Sequence, residues 1–382
     1  MTVTPLLLLG RGADPDSERG VDCPGALPPA SDPTLVARAT AAKAALGESV
    51  FVLGHHYQRD EVIRFADVTG DSFRLAQQAA ARPEAPYVVF CGVHFMAESA
   101  DILTGPDQQV VLPDLAAGCS MADMATAVQV DDCWDVLADA GVADATVPVS
   151  YMNSSAAIKA FTGRHEGTIC TSSNAQRALE WAYGERGGSK VLFLPDQHLG
   201  RNTAVLELGL ELGDCVVFDP HRTGGGLSTQ QLRDARMILW KGHCSVHGRF
   251  SRAAVDEVRA RIPGVRVIAH PECQYDVVTA ADEIGSTEKI IRMVTESAPG
   301  SAWAVGTELN LVQRLAADNP DKTVVFLDKT VCYCSTMNRI DLPHLVWALE
   351  SLVAGTVVNR ITVESETAVL ARKALEQMLA LA

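Results

Sequence analysis

The chain has 382 residues, 47% hydrophobic and 21% charged, and its 32 basic against 47 acidic side chains give a formal net charge of −15. That balance excludes a protein that wraps nucleic-acid backbones or docks on anionic lipid, since both need clustered Lys and Arg. No apolar run approaches the roughly 18 residues of a membrane helix, and no basic residue precedes the run Leu6–Leu9, so a cytoplasmic location is expected.

Residues 1–30 carry Gly and Pro without sustained periodicity and read as an N-terminal extension. Ser31-Asp32-Pro33 then gives a helix-start signal before TLVARATAAKAALGE, with Gly47 at its end. From there short β-rich runs alternate with helical patterns, which predicts an α/β protein with parallel strands. The runs fall into three sets of four. In the first, Phe51–Leu53 precedes GHHYQ, Phe65–Val68 precedes TGDSF, Tyr87–Phe90 precedes CGVHFMAES, and Val110–Leu112 precedes PDLAAGCSM. In the second, Val147–Val149 precedes SYMNSS, Gly167–Ile169 precedes CTSSNA, Val191–Leu194 precedes PDQHLGRNT, and a last run ends in ILWKGHCSVH. In the third, Val265–Ile268 precedes AHPEC, Ala281–Ile284 precedes GSTEK, Ala302–Val305 precedes GTELN, and Val324–Leu327 precedes DKTVCYCSTM. The expected units are 31–145, 146–248 and 249–340, followed by amphipathic helices over 341–382.

The sets repeat their chemistry. His55 and Tyr57, Tyr151 and Asn153, and His270 and Glu272 each stand two apart just past a first strand, where side chains of extended backbone point the same way. Ser72, Ser172 and Ser286 follow second strands in turns that open helices, where N–H groups and hydroxyls hold anions. Each set closes on Cys-Ser: Cys119-Ser120, Cys244-Ser245 and Cys334-Ser335. Strand ends converging on one point would build a site of threefold character.

Ten cysteines in a reducing compartment are core hydrophobes, metal ligands or reactive thiols. Cys91, Cys133, Cys170 and Cys215 read as core. Cys119, Cys244 and Cys334 occupy corresponding loops, and three thiolates suit either an iron–sulfur cluster with one iron lacking a cysteine or a zinc site completed by His247. Gly224-Gly225-Gly226 opens no Walker-type sequence and reads as a flexible surface loop. Glu272 beside histidines and tyrosines is a candidate general base.

These motifs resemble the quinolinate synthase family over about residues 50–340: GHHYQ (54–58), GDS (70–72), HFMAES (94–99), CSM (119–121), YMNS (151–154), TSSNA (171–175), PDQHLGRNT (195–203), GHCSVH (242–247), HPEC (270–273), GST (285–287) and CSTMN (334–338). The resemblance implies three similar α/β/α domains, each with a small parallel sheet, in pseudo-threefold symmetry around a central active site, with the C-terminal helices returning to the first domain. It implies one [4Fe–4S] cluster on Cys119, Cys244 and Cys334, leaving an open iron as a Lewis acid. It implies a transferase that condenses iminoaspartate with dihydroxyacetone phosphate to quinolinate, phosphate and water in de novo NAD biosynthesis. Glu272 and Tyr57 would be the main acid–base pair, with Tyr151, His55 and His247 beside them. Ser72, Asn153, Ser172, His270, Ser286 and Thr287 would hold substrate together with His55, Tyr151 and Glu272. Whether the imine diffuses freely or passes by transient contact with the aspartate-oxidising enzyme is left open. No nucleic acid or membrane partner is implied. The competing readings are a zinc lyase on the three cysteines and His247, and a non-catalytic cluster carrier that needs none of the acid–base groups.

Overall fold

The computed structural model describes residues 27–329 and 333–381. Most of the expected extension, 1–30, and both Cys23 and Cys332 lie outside the described residues. Helix Leu35–Leu46 follows the Ser31-Asp32-Pro33 signal and ends at Gly47, whose φ of 53° an L side chain rarely adopts.

The strands form three separate sheets. The first contains β1 (Val50–His55), β2 (Val68–Gly70), β3 (Tyr87–Cys91) and β4 (Gln109–Val111). The second contains β5 (Thr146–Tyr151), β6 (Thr168–Cys170), β7 (Lys190–Leu194), β8 (Cys215–Phe218) and β9 (Met237–Trp240). The third contains β10 (Arg266–Ala269), β11 (Glu283–Ile284), β12 (Ala302–Gly306) and β13 (Thr323–Phe326). A last strand, β14 (Arg360–Ile361), joins the first sheet antiparallel to β4, and the other pairings are parallel. Helices cover the faces, which is why β1, β5 and β7 are buried at every position and read as continuous apolar runs.

The same order recurs in each sheet: β2-β1-β3-β4, β6-β5-β7-β9 and β11-β10-β12-β13. The first strand of each set therefore has its second on one side and its third on the other. Chain leaving that strand enters a crevice at a topological switch point, where α/β sheets bind ligands. All three paired-residue motifs follow such a strand.

Some details differ from the sequence expectation. Strand β2 starts at Val68, because Phe65 lies in the turn after helix Asp60–Ile63. The run after Cys215 is a strand of its own, β8, on the edge beside β9, and Cys215 is half-buried there. Gly224-Gly225-Gly226 is a compact turn rather than an open loop: φ lies at 60°, 68° and 72°, and a Cβ on Gly225 would meet the Phe218 ring at 2.2 Å. At the C-terminus, helix Leu342–Val353 packs on helix Leu35–Leu46, while helix Ser365–Ala380 runs along helix Ala156–Arg164 and β6. The latter approach requires glycine at position 163, since a Cβ there would fall 1.9 Å from the Leu370 carbonyl oxygen. Among the described residues no helix is long and apolar enough to cross a membrane.

Candidate functional site

One cavity is lined from all three sheets. Its wall carries His55, Tyr57 and Ser72 from the first, Tyr151, Asn153 and Ser172 from the second, and His270, Glu272 and Thr287 from the third. Cys119, Cys244, Cys334 and His247 complete it. Ser286 is not in this wall. Its Oγ accepts from the Lys289 N–H as the cap of helix Thr287–Glu296, and it lines an adjoining cavity with Arg74, Lys289 and Arg292, which meets the first at Asp71 and Ser172.

The centre is a buried hydrogen-bonded chain. Glu272, 3% exposed, accepts the Tyr151 hydroxyl at 2.5 Å through Oε1 and meets His247 Nδ1 at 2.9 Å through Oε2. His247 Nε2 lies 3.1 Å from the Thr307 hydroxyl, and that hydroxyl lies 2.8 Å from the Tyr57 hydroxyl. Tyr57 also meets the Thr287 hydroxyl at 2.9 Å. His270 stacks on His247 with ring centroids 4.4 Å apart, accepts the Glu272 N–H through Nδ1, and reaches Ser172 Oγ at 3.1 Å through Nε2. His55 Nδ1 accepts the Tyr57 N–H, so its other nitrogen is free to face the cavity.

Electrostatics assign different tasks to these groups. Burial acts to raise the Glu272 carboxyl, but the adjacent His247 and the hydrogen bonds from His247 and Tyr151 outweigh it and hold the group ionised. Burial first, then the Glu272 charge, pushes both Tyr57 and Tyr151 well above the usual phenol range, so both keep their protons. Burial lowers His55 and His270 to about 3, which makes both neutral imidazoles at physiological pH. The wall therefore holds a carboxylate base, phenol donors and neutral imidazoles.

Two groups went unnoticed in the sequence. Thr307 is fully buried between Tyr57 and His247. Glu308 caps helix Leu309–Asp318 by accepting the Asn310 and Leu311 N–H groups, and its other oxygen accepts the Cys334 N–H at 3.3 Å. Burial raises Glu308 to about 7 against those three hydrogen bonds. The available signal was its place between a strand end and a helix in GTELN, where a capping carboxylate belongs.

The three cavity cysteines fit a cationic centre. Burial, reinforced by neighbouring negative groups, raises Cys119 to about 12 and Cys244 well above the ordinary thiol range, and burial also raises Cys334. Three thiolates on the wall of one buried cavity become favourable only around a cation. No lysine or arginine is among the described lining residues to provide it. Cys244, His247 and Glu272 also bring one ligand atom each within 4.8 Å of one another. However, both His247 nitrogens are engaged, by Glu272 and by Thr307, which leaves neither lone pair directed at a metal. The all-sulfur donor set is thus the better match to an iron–sulfur cluster than to zinc completed by His247.

The quinolinate synthetase A protein family matches residues 38–380. The chain is 72% identical over 382 residues to a quinolinate synthase of Streptomyces coelicolor, covering 100% of this chain and 96% of that one. It is 71% identical over 381 residues to one from a Nocardioides species, covering 99% and 97%. A Corynebacterium glutamicum quinolinate synthase is 53% identical over 350 residues, covering 92% and 88%.

Proposed function

The chain belongs to the quinolinate synthase family, and we propose that it joins iminoaspartate to dihydroxyacetone phosphate, forming quinolinate, phosphate and two waters for NAD biosynthesis. The supporting observation is the meeting of an ionised carboxylate, two protonated tyrosines and three cysteines in one cavity lined from three sheets. We read the sheets with their helices as three related domains, 31–145, 146–248 and 249–340, set around that cavity with pseudo-threefold symmetry.

Cys119, Cys244 and Cys334 would hold a [4Fe–4S] cluster whose fourth iron, free of a protein ligand, supplies Lewis acidity toward substrate oxygen or nitrogen. The chain's own residues bind and move protons. Substrate carboxylates and phosphate match the hydroxyls of Ser72 and Thr287, each the first residue of a helix whose N–H groups face the same way. Ser172, presented by His270, adds a third hydroxyl. The Asn153 amide oxygen is buried without a hydrogen-bond partner, and a substrate N–H or O–H would satisfy it. Glu272, held ionised, takes the proton beside the imine in the imine–enamine step. Tyr57 and Tyr151, held protonated, donate to oxygen that gains charge as water or phosphate leaves. His55, neutral and oriented by the Tyr57 N–H, serves as a donor rather than a counter-ion.

A non-catalytic cluster carrier has no use for this hydrogen-bonded wall. The testing experiment is iron and acid-labile sulfide per chain on anaerobically purified protein, followed by assay with the two substrates. About four of each with quinolinate formation is expected. Stoichiometric zinc without sulfide after anaerobic reconstitution would overturn the reading.

A further inference from the structure

The sequence motif PDQHLGRNT contributes nothing to the inner wall. Its chain leaves β7 as helix Gln197–Asn202, capped by Asp196, which accepts the His198 and Leu199 N–H groups. Gly200 lets this helix lie directly on the second sheet, since a Cβ there would fall 2.7 Å from both the Phe193 and the Leu239 side chains. The helix then widens into one π turn, Thr203–Glu207, a deviation that recurs at functional sites. Asn202 stands at that junction, 2% exposed.

The Asn202 amide reaches from the second unit into the third. Its Nδ2 donates to the Pro271 carbonyl at 2.7 Å and to the Cys273 carbonyl at 2.8 Å, the two carbonyls that flank Glu272. Among the described residues no other donor reaches either one. The Pro271 carbonyl and the Glu272 N–H share one rigid peptide plane, and that N–H donates to His270 Nδ1 at 3.3 Å, so the plane is held at both ends. The Cys273 carbonyl fixes the backbone on the far side of Glu272. The glutamate side chain therefore leaves its Cα in one direction, toward the Tyr151 hydroxyl and His247 Nδ1. A side-chain amide suits this place: its NH2 offers two N–H groups to two acceptors, where a hydroxyl offers one and an ammonium would bring a charge beside the base. Asn202 Oδ1 is buried without a partner, and turning the amide over would set that oxygen against both carbonyls.

We propose that Asn202 is a positioning residue for the condensation, which aims the Glu272 carboxylate by holding the carbonyls on both sides of it. This rests on the function proposed above. Asn202 touches no substrate and acts through the backbone of Glu272.

The test uses Asn202→Leu, close in shape and without donors, in the cluster-loaded enzyme. A base displaced by a fraction of an ångström should lower kcat about 10- to 100-fold, with KM for both substrates within about twofold and iron and sulfide unchanged. A merely structural role, loosening one unit against another, would raise KM or empty the cluster instead. The second readout needs no turnover: amide hydrogen exchange at Glu272 should rise about tenfold or more in Asn202→Leu, with protection of the three sheets unchanged. Should Asn202→Leu fail to fold, Asn202→Asp, which keeps the shape and removes both donors, reads the same quantities. Wild-type protein that makes no quinolinate would remove the underlying function while the exchange still reported the clamp. Wild-type kcat in the variant, a loss confined to KM, or unchanged exchange at Glu272 would overturn the proposal.

Discussion

Helix Ser72–Ala79 of the first unit and helix Thr287–Glu296 of the third begin alike, but the serine does different work in each. The first is capped by Asp71, whose Oδ1 accepts the Arg74 N–H at 2.9 Å, so Ser72 occupies the first helical position and faces the inner cavity. The third is capped by Ser286 itself, so Thr287 occupies that first position and faces the inner cavity. Counting from the preceding glycine gives the correspondence: Gly70-Asp71-Ser72 matches Gly285-Ser286-Thr287. A cap side chain must turn back onto its own helix, whereas the next residue is free to point forward. Ser286 is thus withdrawn from the inner wall, whereas Asp71, with its longer side chain, caps its helix and still borders the cavity.

This contrast separates groups that act on substrate from groups that hold the frame, and substitutions should sort the same way. The largest effect is expected at the deepest inward group. Glu272→Gln keeps the shape and the three cysteines but loses the base, so turnover should fall about 100- to 10,000-fold while iron and sulfide content stay unchanged. Loss of the cluster in that variant would show that Glu272 belongs to the frame instead. Thr287→Val comes next. It removes a hydroxyl from the cavity and one of the two hydroxyl partners of the Tyr57 oxygen, and steady-state kinetics should show kcat/KM lowered about tenfold, by about 1.4 kcal/mol.

The frame was legible where its signal was local. Continuous apolar runs marked the buried parallel strands, and pairs two apart just past first strands marked His55, Tyr57, Tyr151, Asn153, His270 and Glu272, all of which the structure places on one cavity. Cys119, Cys244 and Cys334 stood out because Cys-Ser closes each set. What escaped depends on chain that is distant in sequence. Thr307 matters through Tyr57, 250 positions away, and Glu308 through Cys334, 26 positions away, and no local spacing encodes either contact. Strand β8 escaped because one short run on a sheet edge carries little periodicity. Pairing Ser286 with Ser72 followed residue type where the glycine and the cap set the register.

The caps give the smallest effects, and they divide the two helices further. Asp71 has two tasks: its Oδ1 caps the helix, and its Oδ2 accepts the Ser173 hydroxyl at 2.7 Å, tying the first unit to the second. Asp71→Ala should therefore cost about 2 kcal/mol in denaturant unfolding, since a cap and a cross-link are lost together. The Ser286 hydroxyl makes only the cap bond to Lys289 among its described contacts, at 3.4 Å, so Ser286→Ala should cost about 1 kcal/mol or less. Turnover per folded molecule should stay within about twofold, because Ser286 is not on the inner wall while Thr287 keeps its place there. A tenfold loss of kcat/KM in Ser286→Ala with unchanged unfolding would reverse the assignment, making Ser286 the inward group and Thr287 part of the frame.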